Sequence, residues 1–217
     1  MRLNQSQIRL NDKEFSRGIS ELLSRDEYLY DIVTRWGDPP FWKHPSGFPG
    51  LVLAILSQQV TLESAQAAYS KLEKSIGEVT PEEFLRLDSV ELLGIGFSRQ
   101  KASYVQGLAQ RSVSGELDLE ELEELDDDLV RNRLIELRGV GPWTADTYLL
   151  FSLCRSDAWP SGDLALEKAV QELKGLLDKP TTEEVDKMAE AWRPWRAVAA
   201  RILWHYYLNE RGRNSSA

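Results

Sequence analysis

Between Leu134 and Thr147 the chain stops one apolar helix and starts another within a few residues, and that break limits the folds open to it. The segment reads Leu134-Ile135-Glu136-Leu137-Arg138-Gly139-Val140-Gly141-Pro142-Trp143-Thr144-Ala145-Asp146-Thr147. Two glycines bracket one small apolar residue, so the backbone can turn tightly, and Pro142 sits where the first residue of a helix needs no N–H. This predicts a helix ending at Gly139 and a second with an apolar face of Trp143, Ala145, Tyr148, Leu149 and Phe151, a helical hairpin over residues 129–152. Such a turn suits anion capture: glycines let the backbone approach a ligand, and N–H groups at a helix start point at a phosphate. Taken alone, a Gly-x-Gly between helices is more often a tight turn with a glycine C-cap.

Helix-start signals recur on both sides of the hairpin. Thr80-Pro81-Glu82-Glu83 reads as a capping box with proline at the first helical position, and Asp88 with Glu91 and Thr181 with Glu184 read likewise. Apolar residues fall at helical spacing in Leu51, Ile55 and Leu56; in Leu62, Ala65, Ala68, Tyr69 and Leu72; in Leu164, Ala165, Val170, Leu173 and Leu177; and in Val198, Ile202 and Leu203. Convincing two-residue alternation is absent. The fold class is therefore all-α, roughly eight to eleven short helices joined by Gly, Pro and Asp turns, without internal repeats. The loop-rich stretch Asp38–Pro49 is a candidate boundary.

Composition narrows the chemistry. The 217 residues include one cysteine, Cys154, so neither an intramolecular disulfide, a four-cysteine zinc site nor a four-cysteine iron–sulfur cluster is available. A chain of this length buries roughly 70% of its unfolded surface and needs none of these to hold a core. Two histidines, His44 and His205, give poor support to a histidine metal site or a Ser-His-Asp triad. Met1-Arg2-Leu3-Asn4-Gln5-Ser6-Gln7 lacks the apolar run of a signal peptide, and no run is long enough to span a bilayer, so the expectation is a cytoplasmic protein with no membrane partner. Cys154 is expected on the apolar helix after the hairpin, in the core.

The net charge of −9 argues at first against a nucleic-acid binder. The surplus is local, however. Glu116 to Asp128 holds nine acids and no base, and the remainder carries 26 acids and 26 bases. From Trp192 onward there are five arginines (Arg193, Arg196, Arg201, Arg211, Arg213) against Glu210, which allows a basic face or, just as readily, a solvated helix surface. The acidic run reads as a solvated loop and helix start that would also repel DNA.

About twenty residues past the hairpin, Trp159-Pro160-Ser161-Gly162 leads into Asp163 and the amphipathic run Leu164 to Val170. Asp163 is placed as a helix N-cap, and on position alone that structural role is the better reading. At the mouth of a cleft the same carboxylate would stabilise cationic character at a sugar carbon or position a water, as carboxylates do in glycoside hydrolysis.

Leu137-Arg138-Gly139-Val140-Gly141-Pro142-Trp143-Thr144-Ala145 followed by Gly162-Asp163 resembles the helix-hairpin-helix DNA glycosylase superfamily. Leu53 to Val60 resembles the family's helix ending in two glutamines, Gly94 to Ala102 the turn before a further helix, and Trp192-Arg193-Pro194-Trp195-Arg196 its C-terminal element. The resemblance covers about residues 45–208, and the nearest branch is 3-methyladenine DNA glycosylase II. It implies two packed helical subdomains with a cleft between them, one of residues 50–155 and one of 1–49 with 156–217, in a compact form without an extra N-terminal domain. Bifunctional branches place a lysine nucleophile where this chain has Trp143, so the resemblance implies a monofunctional enzyme with no lyase activity.

It further implies hydrolysis of the N-glycosidic bond of alkylated purines such as 3-methyladenine and 7-methylguanine in duplex DNA, by base flipping, leaving an abasic site. Such bases are cationic, so binding carries much of the catalysis, and electron-rich rings favour them by about 0.5–2 kcal/mol. Asp163 is the implied catalytic carboxylate. Trp143 and Trp204 line the base pocket, Tyr148, Phe41 and Trp42 are weaker members, and core packing is the alternative for Trp204 and for these three. Gln58 and Gln59 lie where the family fills the gap left by the flipped base, and on the residues alone they read equally as solvent-facing at a helix end. Backbone amides of Gly139, Gly141 and Thr144 grip phosphate, and carbonyls of Ile135, Leu137 and Val140 hold a structural sodium or potassium ion. No catalytic cofactor is expected, and the protein should act as a monomer on damaged double-stranded DNA, associated with the nucleoid. Rival readings are a glycosylase for hypoxanthine or etheno-adenine and a non-catalytic DNA-binding module. Phosphate gripping alone does not require Asp163.

Overall fold

The computed structural model describes residues 8–212. The opening heptapeptide, read above as lacking a leader, and Arg213 lie outside the described residues. Along the chain run α1 (Asp12–Leu23), α2 (Glu27–Trp36), α3 (Gly47–Leu56), α4 (Leu62–Ile76), α5 (Pro81–Phe84), α6 (Ser89–Ile95), α7 (Arg99–Val113), α8 (Asp127–Ile135), α9 (Pro142–Phe151), α10 (Leu164–Leu173), α11 (Thr182–Ala189) and α12 (Arg196–Glu210). The fold is all-α: among the described residues there is no β-strand, only an isolated antiparallel bridge between Arg9 and Arg155. None of the helices among these residues is long and apolar enough to cross a membrane.

Most of the helices begin where capping side chains stand; α3, α9 and α12 begin without a side-chain cap bond. Asp88 and Thr181 form complete capping boxes with Glu91 and Glu184, and Thr80 Oγ1 accepts the Glu83 N–H. Among the described residues there are twelve α-helices against the expected eight to eleven, and the two started by Thr80 and Asp88 are short, the single turn α5 and the seven-residue α6.

Three local expectations need correction. The first hairpin helix ends at Ile135, four residues before Gly139, because the Leu137 and Val140 N–H groups bond the Leu134 and Leu137 carbonyls and tighten the chain out of the α-helix. Leu177 is not part of the apolar face of α10: the helix stops at Leu173, Gly175 turns with φ of +61°, and Leu177 stands 98% exposed. Cys154 lies three residues past the end of α9, half-buried, with φ of +52°.

The chain divides into two compact units, residues 44–153 and the two flanks up to 43 and from 154. The first seam falls at 44 rather than 50 because the end of the loop-rich stretch belongs with α9. The His44 N–H donates to the Phe151 carbonyl at 3.0 Å, the two rings stack at 4.5 Å, and the Gly47 N–H donates to the Tyr148 hydroxyl at 3.0 Å. Cys154 joins the other unit, its carbonyl accepting the Leu10 N–H at 2.7 Å, while the Ser156 N–H reaches Ile8 at 2.9 Å.

In the unit of residues 44–153 the central element is α3. Phe48 and every residue from Gly50 to Leu56 are buried, the pattern of a helix covered all round by α4, α7 and α9. In the other unit α12 has that place, with Ala197 to Leu203 all buried against α1, α2 and α10.

Candidate active site

The α8–α9 hairpin is shaped by glycines with different reasons to be there. Gly139 has φ of +89°, and a Cβ on it would lie 2.2 Å from the ring of Tyr104 on α7, so backbone and packing both require glycine. Gly141 has φ of −93° and a Cβ there would meet open space, so neither conformation nor packing within the protein demands its bare backbone. It is the N-cap of α9 and brings no side chain to the cap, while the N–H groups of the first helical turn have no intrahelical partner. A small N-cap ahead of such amides is what an approaching anion requires.

Side chains outside the turn hold it. The Gln58 amide, just past the end of α3, donates to the Gly139 carbonyl at 2.8 Å and to Thr144 Oγ1 at 2.9 Å. Arg131 on α8 pairs with buried Asp146 on α9 through Nε at 2.8 Å and a second nitrogen at 2.6 Å. Lys101 Nζ donates to the Leu56 and Gln58 carbonyls at 2.7 and 2.8 Å, closing the C-terminus of α3, and burial pulls its ammonium below the usual lysine range. Beyond this anchor Gln59 is exposed with φ of +54°, followed by exposed Val60. The two adjacent glutamines therefore differ: Gln58 braces the hairpin, and Gln59 projects.

Trp143, the second residue of α9, is half-buried, and Thr144 is buried at the same helix start. Because α8 ends at Ile135, carbonyls of its last turn lack the fifth-residue N–H of a continuing helix. These neutral carbonyl oxygens, with those of Leu137, which accepts the Val140 N–H at 3.0 Å, and Val140, are the groups in the turn that could hold a monovalent cation. Among the described residues no group of His, Cys, Asp and Glu side chains gathers to hold a metal.

Asp163 opens α10 in the flanking unit. Its Oδ1 accepts the N–H groups of Ala165 and Leu166, both at 3.0 Å, and the Trp204 indole N–H from α12 at 3.2 Å. The cap reading holds: one half-buried carboxylate takes two backbone amides and an indole on the same oxygen. Trp204 is half-buried, and its polar edge serves Asp163. One turn on, buried Glu167 accepts the Thr182 hydroxyl at 2.7 Å and pairs with Lys179 at 2.6 Å, tying α10 to α11. Burial pushes the Glu167 carboxyl up, but Lys179 and Thr182 outweigh it and leave it below the ordinary range.

Other expected members fall elsewhere. Tyr148 is wholly buried, its hydroxyl occupied by Gly47 and pushed up to about 12 by burial, so it is core and does not line a pocket. Phe41 stacks on Phe15 at 4.6 Å, and the Trp42 carbonyl accepts from Arg201 at 3.1 Å. The basic C-terminal face does not form from the described arginines. Arg193 and Arg196 pair with Asp157 and Glu190, Arg211 pairs with Glu172 at 3.0 Å, and Arg201 is buried. The acidic run is anchored by buried Leu119 and Leu122 and pairs outward through Glu121 with Arg133 at 2.7 Å before Asp126 caps α8. Sequence reading missed Arg131–Asp146, Lys101 and the Glu167 tie, whose partners are chosen by packing and carry no local signal.

Comparison with known proteins places this geometry among relatives. Residues 52–194 match the family described as HhH-GPD superfamily base excision DNA repair protein. The alkylbase DNA glycosidase-like protein mag2 of Schizosaccharomyces pombe is 28% identical over 200 residues, 89% of this chain and 94% of that one. A DNA-3-methyladenine glycosylase of Bacillus subtilis is 30% identical over 172 residues, 74% of this chain, and the match spans only 57% of that longer protein. Among solved structures, the 3-methyladenine DNA glycosylase Mag1 of Schizosaccharomyces pombe in complex with abasic DNA superposes with a TM-score of 0.80 at 28% identity, covering 90% of this chain and 97% of that one.

Proposed function

The chain belongs to the HhH-GPD superfamily of base excision DNA repair proteins, and from that membership we propose that it is a monofunctional DNA glycosylase. It hydrolyses the N-glycosidic bond of alkylated purines, 3-methyladenine and 7-methylguanine, in duplex DNA and leaves an abasic site without cutting the strand. The observation that carries this reading is Asp163, a carboxylate whose Oδ1 is fixed by two cap amides and the Trp204 indole. A DNA-binding module needs no such group.

Chemically, an alkylated purine is already a good leaving group, because alkylation has made it cationic. What remains is to extrude the base, hold it, and stabilise the positive charge that spreads to the sugar as the bond lengthens. Extrusion costs a few kcal/mol of stacking and pairing. Gln59, exposed and projecting, enters the gap, while Gln58 stays with the hairpin. Trp204, half-buried beside Asp163, would attract a cationic base through its ring, and half-buried Trp143 is the other aromatic that the family resemblance assigns to that role. The Asp163 carboxylate stabilises the oxocarbenium-like sugar and orients the attacking water. Amides of Gly141, Thr144 and Gly139 hold phosphate, which lets a chain of net charge −9 bind DNA without a basic surplus. The carbonyls of Ile135, Leu137 and Val140 would seat a sodium or potassium ion that stiffens the turn. No cofactor enters the chemistry.

The test is base release from methylated duplex DNA, with products separated by chromatography, alongside borohydride trapping. We expect free 3-methyladenine and 7-methylguanine, intact abasic strands and no trapped protein–DNA adduct under conditions where a bifunctional control traps. Release only from parallel duplexes carrying hypoxanthine or etheno-adenine would overturn the substrate class, and efficient trapping would overturn the monofunctional assignment.

A further inference from the structure

We infer that Asp186, on α11, is a positioning residue for Asp163; this rests on the reading of Asp163 as the reacting carboxylate. Asp186 uses both oxygens on the loop that delivers Asp163. Its Oδ1 accepts the Trp159 indole N–H at 2.9 Å and its Oδ2 accepts the Ser161 hydroxyl at 2.6 Å. Between these anchors and the helix the loop folds on itself, the Ser161 N–H bonding Trp159 and the Asp163 N–H bonding Pro160 at 2.9 and 3.1 Å, with Gly162 at φ of +76°. The loop is pinned upstream as well, where buried Asp157 takes Arg193 and Arg196.

Asp163 bonds forward into α10, sideways to Trp204 and, through its N–H, back to Pro160, and Asp186 adds two side-chain anchors on the same loop, at Trp159 and Ser161. Two charge-assisted bonds from one carboxylate to residues four and two positions upstream set where the N-cap begins. Misplacing a reacting group by about 1 Å costs on the order of 100-fold in rate, so a loop released at this point reports in turnover before it reports in folding.

The experiment compares Asp186→Ala, Asp186→Asn, Ser161→Ala and Trp159→Phe with the parent protein and with Asp163→Asn. Three quantities are read: single-turnover release from methylated duplex DNA, affinity for abasic-site duplex, and amide hydrogen exchange at Ala165 and Leu166. We expect Asp186→Ala to slow release about 10-fold or more, to leave abasic-site affinity within about 2-fold, and to speed exchange at both amides. Asparagine keeps one acceptor for the indole and offers an N–H to Ser161, so Asp186→Asn should stay within about 3-fold of the parent. Ser161→Ala and Trp159→Phe, each removing one bond, should fall between, and they decide the matter if Asp186→Ala fails to fold. Parental release and exchange in these variants, with Asp163→Asn inactive, would overturn the positioning role alone. Parental release by Asp163→Asn would instead overturn the reading on which it rests.

Discussion

Trp159, Trp192, Trp195 and Trp204 each donate an indole N–H to a carboxylate, of Asp186, Asp26, Glu21 and Asp163 respectively, and all eight residues lie in the flanking unit. The hairpin unit is built otherwise. Its turn is set by two glycines and a proline and by the Gln58 amide on a backbone carbonyl and a hydroxyl, and the Arg131–Asp146 ion pair joins the two hairpin helices. One corner offers backbone N–H groups and must keep side chains out of the way. The other offers a charged side chain and must hold it still. Exposing main chain favours small residues close in sequence, whereas orienting a carboxylate demands donors from distant helices.

The comparison is broken most sharply at the carboxylate. Asp163→Asn keeps a cap oxygen, so folding should stay nearly intact, while single-turnover release falls by about 100-fold or more and abasic-site DNA still binds. Near-parental release would leave Asp163 a cap and nothing else.

A glycine pair sharpens the other side. Gly139→Ala forces a Cβ into the Tyr104 ring, and overpacking of that kind costs roughly 1–3 kcal/mol before any backbone strain is added. Its thermal midpoint should drop by several degrees. Gly141→Ala should leave the midpoint unchanged and weaken DNA binding about 10-fold, because only a ligand's approach is obstructed. Equal melting and equal affinity for both variants would remove the distinction drawn between the two glycines.

Trp204→Phe keeps a ring and deletes the donor to Asp163. Release should fall about 10-fold, with binding to undamaged duplex little changed; equal losses would make Trp204 packing alone. The smallest effect belongs to Gln58→Ala, which removes two hydrogen bonds from the hairpin and should cost about 1–2 kcal/mol of stability together with a few-fold loss of DNA affinity.

The same contrast explains what the sequence made legible. The α9 start at Pro142, the capping boxes at Asp88 and Thr181 and the cap at Asp163 are written in neighbouring residues, and each was readable. The end of α8 was misread because glycine marks the bottom of the turn, while i-to-i−3 bonds close the helix a turn earlier. Tyr148 follows Ala145 at helical spacing on the apolar α9, and only packing reveals that it is enclosed with its hydroxyl on Gly47. Asp186 carries no local signal, since its partners lie 27 and 25 residues away. The five C-terminal arginines looked like a surface by count, and paired acids elsewhere in the fold claim the described ones that reach it.

The contact between Gly139 and Tyr104 has a consequence for how such a chain drifts over generations. Tyr104 fills the space that any other residue at 139 would need, and its hydroxyl accepts from Gln100 at 2.6 Å, so it is held where it stands. A lineage can therefore explore position 139 only after residue 104 has become smaller, and even then only through residues such as asparagine that tolerate the left-handed backbone. Substitution in the opposite order passes through an intermediate that folds poorly. Position 139, thirty-five residues further on, should therefore vary only where position 104 is already small.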